Sequence, residues 1–143
     1  SPRLEAFFTK ENQVYSYSGT KLESHAFTTT LREICQDLER FTNRNFNSVL
    51  VNVYRSGSDG NGWHSDDEKE LGKNPFIASL SLGETRKIQF RHKAQNHKFQ
   101  IEMKHGSLLV MKGSLQHHWK HHIPKTKKEI GKRINLTFRS IKN

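Results

Sequence analysis

The seven residues Arg133-Ile134-Asn135-Leu136-Thr137-Phe138-Arg139 alternate strictly between polar and apolar side chains. A period of two is typical of a β-strand that buries one of its faces, so a strand is predicted over residues 133–140. The three apolar residues would pack into a core, and the opposite face would carry two arginines, an asparagine and a threonine. An ordinary solvated face is the commoner explanation of such a pattern. However, two arginines on one face also suit a dicarboxylate, because each guanidinium binds a carboxylate through paired hydrogen bonds.

A second strand, in which the alternation is less sharp, is predicted over residues 48–55. Leu50, Asn52 and Tyr54 share one of its faces, and three valines share the other. Further short segments of strand character are separated by turns rich in glycine and asparagine, which predicts a barrel or a jelly roll. These segments are residues 76–82, 85–92, 98–103, 107–112 and 117–123.

One helix is predicted ahead of these strands, so the expected fold class is α+β with mostly β structure. Thr30 and Glu33 form a capping box at its start, and residues 43–47 end it. Cys35 on its apolar stripe is expected to be a small buried hydrophobe. Residues 1–25 are expected to form loops and a short hairpin. The stripe consists of Leu31, Ile34, Cys35, Leu38 and Phe41.

The length of 143 residues predicts a single domain, 1–143. Lysine and arginine number 24 against 14 acidic residues, a net charge of +10 that favours nucleic acid as partner, although a generic basic protein would show it too. The single cysteine excludes an internal disulfide framework and indicates a reducing compartment. No apolar run reaches the length of a membrane span. We expect an intracellular monomer, nuclear if eukaryotic and cytoplasmic if bacterial, with no membrane partner.

His64 and Asp66 are the candidates for a metal site. In an extended segment, side chains two residues apart point to the same face, so one short stretch can offer an imidazole and a carboxylate to one ion. A histidine from the cluster at 117–122 would complete a set of two histidines and one carboxylate. Such a set leaves three coordination positions open, as a non-haem Fe(II) oxygenase requires. These enzymes commonly need 2-oxoglutarate, a dicarboxylate that the arginine-bearing strand could hold.

Five stretches carry a resemblance to a known family: residues 50–55, 63–68, 77–83, 105–109 and 133–139. In this order they resemble motifs of the AlkB family of Fe(II)/2-oxoglutarate-dependent nucleic-acid dioxygenases. The likeness is greater to the vertebrate-type DNA-repair homologues than to the founding bacterial enzyme. The resemblance implies a double-stranded β-helix (a cupin-like jelly roll) with a flanking N-terminal helix. It also implies that Fe(II), 2-oxoglutarate and O₂ take part in the reaction.

The same resemblance assigns roles to individual residues. The iron ligands would be His64, Asp66 and His121, because the family places a histidine three residues before a proline and His121 precedes Pro124 at that interval. Asp67 matches the position that contacts the flipped base and approaches the second arginine. The residues implied for 2-oxoglutarate are Asn52, Tyr54, Arg133, Thr137 and Arg139.

The implied activity is oxidative demethylation of 1-methyladenine and 3-methylcytosine in DNA, with release of formaldehyde, succinate and CO₂, and hence DNA alkylation repair. The alternatives are an RNA demethylase, a catalytically silent nucleic-acid binder and a protein hydroxylase on the same fold. The family's N-terminal base-recognition lid is expected to be absent or reduced. Candidates for contact with methylated DNA or RNA, by stacking or through phosphates, are Phe7, Phe8, Tyr15, Arg91, Lys93, Lys127 and Lys128.

Overall fold

Two β-sheets pack face to face in the computed structural model, which describes residues 3–10, 16–17, 20–21 and 23–142. The larger sheet has six strands in the order β4-β1-β5-β11-β6-β9, and the smaller has three in the order β10-β7-β8. The strands β2 and β3 pair with each other in a separate antiparallel two-stranded sheet. The strands are β1 (Leu4–Thr9), β2 (Ser16–Tyr17), β3 (Thr20–Lys21), β4 (Ser24–Ala26), β5 (Ser48–Tyr54), β6 (Ile77–Gly83), β7 (Arg86–His92), β8 (Lys98–Met103), β9 (Leu108–Met111), β10 (Trp119–His122) and β11 (Arg133–Arg139).

The predicted jelly roll is confirmed, and most predicted strands agree with the structure to within a residue at each end. The segment predicted as a strand over 117–123 is instead divided, because α2 (Leu115–His118) takes up its first two residues before β10 begins. The strand β1 was not predicted. Its period-two pattern is obscured, because the apolar Leu4 is 49% exposed whereas the polar Thr9 is buried. The hydroxyl of Thr9 is satisfied there by a 2.7 Å hydrogen bond with Ser24.

The helix α1 (Thr29–Thr42) covers the outer face of the six-stranded sheet. The expected capping box is wrong, because the Oγ1 of Thr28 accepts the Leu31 N–H and so the helix begins earlier. Asn43 ends it in the left-handed conformation, with φ of 55°. Phe41 is 81% exposed rather than buried, because it lies about 80° around the helix from Leu31. Cys35 is fully buried, as expected.

The two faces of β11 separate two kinds of environment. Leu136 and Phe138 join the core beneath α1, together with Val49 and Ala78. The opposite face looks into the space between the sheets, whose apolar part holds residues from both of them. Among the described residues no helix is both long and apolar enough to cross a membrane. The apolar residues between the sheets are Tyr54, Ile77, Ile88, Phe90, Met103, Met111 and Ile123.

Candidate metal centre

His64, Asp66 and His121 converge at one end of the space between the sheets. Each residue offers one nitrogen or oxygen atom, and these atoms lie within 4.8 Å of one another. The backbone brings the segments together, because the His64 N–H donates to the His121 carbonyl at 3.0 Å and the His121 N–H donates to the His64 carbonyl at 2.8 Å. The single antiparallel bridge therefore places the two predicted metal segments side by side.

Both histidines can offer a lone pair to a cation. The Nδ1 of His64 lies 2.8 Å from the Gly62 carbonyl, which can only accept, so Nδ1 carries the proton and Nε2 carries the lone pair. Burial lowers the pKa of His121 to about 4, and the neighbouring His64 adds to this effect. His121 is therefore neutral at pH 7, as a metal-binding imidazole must be.

Asp66 is fully buried, and its two carboxylate oxygens have different environments. Oδ2 accepts a 2.8 Å hydrogen bond from Arg139, whereas Oδ1 has no hydrogen-bond partner and lies 3.9 Å from Nε2 of His64. Burial alone would raise the pKa of the Asp66 carboxyl, but Arg139, His121 and His64 together bring it below its usual range. A buried, ionised oxygen without a donor fits a cation, so the donor set suits a divalent metal with open coordination positions.

The cavity beside this triad is lined by the polar faces of β5 and β11. All the residues that the sequence resemblance implied for 2-oxoglutarate lie there, and Asn135 and Ser79 join them through a 2.7 Å hydrogen bond. Asn135 Oδ1 in turn accepts from Thr137 at 2.6 Å. The implied residues on this wall are Asn52, Tyr54, Arg133, Thr137 and Arg139.

Arg133 is the buried cation of this cavity that pairs with no carboxylate of the described residues. Its side chain is 1% exposed, lies 5.1 Å from the Tyr54 ring and donates to Ser81 Oγ at 2.9 Å. Its Nε and Nη1 have no hydrogen-bond partner, and burial lowers its pKa. A buried guanidinium with unsatisfied donors is costly unless an anion neutralises it. Arg133 therefore fits a bound carboxylate, whereas Arg139 is already paired with Asp66.

Three polar residues that support this site were not predicted. Ser79 and Ser81 alternate with leucines in β6, so strand parity in the sequence Ser-Leu-Ser-Leu could have found them. Gln116 is 1% exposed in α2, and its Oε1 accepts the backbone N–H of Asp66 at 2.8 Å. No pattern in the sequence signals Gln116, because its partner is a main-chain group 50 residues away.

The remaining histidines of the cluster lie outside the triad. His117 and His118 belong to α2 and are exposed. His122 stacks on Trp63 with ring centroids 3.7 Å apart and bonds to Gln89 at 2.7 Å. Among the described residues, the structure brings only His121 of this cluster together with His64 and Asp66 as a group able to hold a metal.

The aromatic residues expected to stack on bases are placed differently. Phe7 is 2% exposed and packs with Leu50, Leu71 and Ile141, because β1 carries it into the large sheet. Phe8 is partly buried against the core beneath α1. The structure therefore places Phe7 in the sheet packing rather than at the surface, whereas Phe8 keeps part of its side chain exposed, and base stacking stays a prediction. Tyr15 lies outside the described residues.

The charged candidates for phosphate contact differ in exposure and in their partners. Arg91 is exposed and lies over the Trp63 ring at 4.4 Å, and Lys127 and Lys128 are exposed. The Nζ of Lys93 donates to the Gln116 carbonyl at 2.9 Å and lies 3.6 Å from the Asp67 carboxylate.

The predicted approach of Asp67 to Arg139 finds no support in these contacts. The carboxylate that pairs with Arg139 belongs to Asp66, and the Asp67 side chain is 55% exposed beside Lys93. The physical reason is the short extended stretch after the bridge, which turns Asp66 inward and its neighbour outward.

The chain is similar in sequence to one protein family and to named members of it. The sequence profile of the 2OG-Fe(II) oxygenase superfamily matches residues 6–139. The chain is 38% identical over 150 residues to the human alpha-ketoglutarate-dependent dioxygenase alkB homolog 3, a match that covers 98% of this chain and 52% of that protein. It is 37% identical over 148 residues to the human DNA oxidative demethylase ALKBH2, covering 98% of this chain and 57% of that protein. The chain thus spans about half the length of these relatives.

The fold has a solved counterpart. The structure of OsALKBH1 superposes with a TM-score of 0.63 and 19% sequence identity, covering 83% of this chain and 66% of that chain. At this level of identity the likeness concerns the fold alone, and it agrees with the two packed sheets described above.

Proposed function

Because the chain belongs to the 2OG-Fe(II) oxygenase superfamily and, within it, to the AlkB family, we propose that it demethylates N-methylated bases of nucleic acid oxidatively. Members of this superfamily use Fe(II), 2-oxoglutarate and O₂. The preferred substrate of the proposed reaction is DNA that carries 1-methyladenine or 3-methylcytosine. One of the relatives is named a DNA oxidative demethylase, and this name supports the choice of DNA. The proposal takes residues 1–143 as one catalytic domain.

One observation carries the proposal. A buried carboxylate oxygen without a donor, on Asp66, and a buried guanidinium without an anion, on Arg133, line the same cavity. The Asp66 oxygen suits a metal cation and the Arg133 guanidinium suits a carboxylate, so together they fit the pair of Fe(II) and 2-oxoglutarate. A protein that only bound nucleic acid would gain nothing from either buried charge.

In the proposed site, His64, Asp66 and His121 hold Fe(II), and Arg139 orients the Asp66 carboxylate through its 2.8 Å hydrogen bond. Arg133, supported by Ser81 and Tyr54, binds the far carboxylate of 2-oxoglutarate. Fe(II), when bound with 2-oxoglutarate and O₂, supplies the oxidant that hydroxylates the N-methyl group, which leaves as formaldehyde while 2-oxoglutarate becomes succinate and CO₂. The buried walls of the cavity keep water away from this chemistry.

The substrate reaches the site as an extruded or single-stranded base, because a methyl group inside a duplex cannot approach a buried centre. In this proposal the exposed carboxylate of Asp67, next in the chain to Asp66, faces a base made cationic by methylation. The exposed cations of Arg91, Lys127 and Lys128 contact phosphates, which the net charge of +10 supports.

The test is formaldehyde release from methylated oligonucleotides, single- and double-stranded, of DNA and of RNA, with Fe(II) and 2-oxoglutarate. We expect turnover on methylated DNA and its loss in His64→Ala, Asp66→Ala and His121→Ala, because each removes a metal ligand. His118→Ala is the matched control, since it removes an exposed histidine from the same segment, and it should keep most of the activity.

Other outcomes distinguish the alternatives. Turnover confined to methylated RNA would replace DNA by RNA as the substrate. Tight binding of oligonucleotides without any turnover of 2-oxoglutarate would indicate a silent binder and contradict the proposed reaction.

A further inference from the structure

Gln116 is a buried polar side chain that the proposed chemistry does not use. It lies in the short helix α2, five residues before His121, and only 1% of it is exposed. A buried primary amide is costly unless its donors and acceptor are matched. Gln116 precedes the strand that carries His121 and contacts the segment that carries His64 and Asp66, so its contacts show how these two segments are held together.

The orientation of the Gln116 amide follows from its partner. The Asp66 backbone N–H can only donate, so the group that faces it at 2.8 Å must be the oxygen Oε1. The amide nitrogen then points to Sδ of Met111 at 3.7 Å, a weak acceptor. The strong contact of this side chain is therefore the one to the main chain of Asp66.

The backbone of Asp66 needs this acceptor because the strand pairing stops just before it. The bridge to β10 consists of the single pair His64 and His121. Ser65 is held next, through a 2.7 Å hydrogen bond from its Oγ to the Trp119 carbonyl. Asp66 is fully buried, so its N–H would stay unsatisfied without Gln116, and an unsatisfied buried donor is destabilising.

The helix that carries Gln116 is itself anchored. The Nζ of Lys93 donates to the Gln116 carbonyl at 2.9 Å, and the Lys93 backbone N–H donates to the His118 carbonyl at 2.8 Å. The acceptor therefore sits on a short helix tied to the end of β7, rather than on a free loop.

We propose that Gln116 is a positioning residue for the metal carboxylate: it fixes the main chain of Asp66 so that Oδ1 faces the two imidazoles. Two constraints then act on Asp66, with Gln116 on its backbone and Arg139 on Oδ2. Partners that orient a metal ligand typically account for about 10- to 100-fold in metal affinity. This inference rests on the proposed metal site and adds a residue to it.

The test is the affinity of the purified protein for Mn(II), a paramagnetic ion that resists oxidation by air better than Fe(II), measured by electron paramagnetic resonance, together with the Tm of the metal-free protein. Gln116→Met keeps the volume and removes the acceptor, so we expect at least tenfold weaker Mn(II) binding. Ser65→Ala is the matched control, because it also removes a hydrogen bond between the same two segments but leaves the Asp66 N–H satisfied. It should change Mn(II) affinity less than threefold.

Gln116→Glu is the rescue variant, since it restores an oxygen at the same place, and it should bind Mn(II) more tightly than Gln116→Met. Wild-type affinity in Gln116→Met would overturn the inference. Equal losses in Gln116→Met and Ser65→Ala, or a glutamate variant as weak as the methionine variant, would overturn it too. Asp66→Ala distinguishes a failure of the proposed metal site from a failure of the proposed role of Gln116. If Asp66→Ala binds Mn(II) as the wild type does, the proposed metal site itself is wrong. If Gln116→Met does not fold, the comparison of Gln116→Glu with wild type decides, and a tenfold loss there contradicts the role of an acceptor.

Discussion

Arg133 and Arg139 lie on the same face of β11 but differ in their hydrogen-bond partners. Both face the cavity, as the alternation of the sequence predicts. Arg139 is paired with the Asp66 carboxylate, whereas two nitrogens of Arg133 have no hydrogen-bond partner. Strand parity cannot make this distinction, because it depends on which neighbour the fold delivers to each guanidinium. The pairing of Arg139 leaves Arg133 as the candidate for the far carboxylate of 2-oxoglutarate.

A prediction at this scale concerns Asp67. Its exposed carboxylate would attract a base made cationic by methylation, so Asp67→Asn should lower kcat/KM on 1-methyladenine and 3-methylcytosine by about tenfold. A neutral substrate such as 3-methylthymine should lose less. The comparison is made by formaldehyde release, with Asp37→Asn as control because Asp37 on α1 is also an exposed carboxylate that pairs with a basic side chain. Equal losses on cationic and neutral bases would remove the electrostatic role.

The elements of the fold were predicted where burial and alternation coincide. In β5 and β11 every second residue faces a core, so the period of two survives in the sequence. In β1 this period is lost, because the apolar Leu4 is exposed and the polar Thr9 is buried. The last two residues of α2, His117 and His118, were predicted as strand, since four histidines within six residues give no periodic signal. His117 and His118 therefore lie on a helix, away from the metal ligands.

The helix α1 allows a prediction about its two faces. Leu38 is buried beneath the helix, so Leu38→Ala should lower the free energy of unfolding by about 2–5 kcal/mol. Phe41 is 81% exposed, and Phe41→Gln should change it by no more than about 0.5 kcal/mol. Denaturant unfolding measures both variants. A large loss in Phe41→Gln would mean that another surface covers this residue.

For the whole molecule, the composition predicted a basic protein with an acidic partner such as nucleic acid, and the motifs predicted the family. The contacts between buried residues could be seen only in the folded structure. The sequence placed His64 and Asp66 on one face, while the choice of His121 among four histidines rested on the family resemblance. The structure brings these three together through one β-bridge. Gln116 and the pairing of Asp66 with Arg139 had no sequence signal, because both join residues 50 or more positions apart.

The most direct measurement is a crystal structure of the protein with Mn(II) and 2-oxoglutarate, a combination that does not turn over. We predict one metal ion bound by His64, Asp66 and His121, and a 2-oxoglutarate whose far carboxylate is bound by Arg133 next to Ser81. An ion on exposed histidines such as His118, or a 2-oxoglutarate carboxylate away from Arg133, would contradict the proposed site.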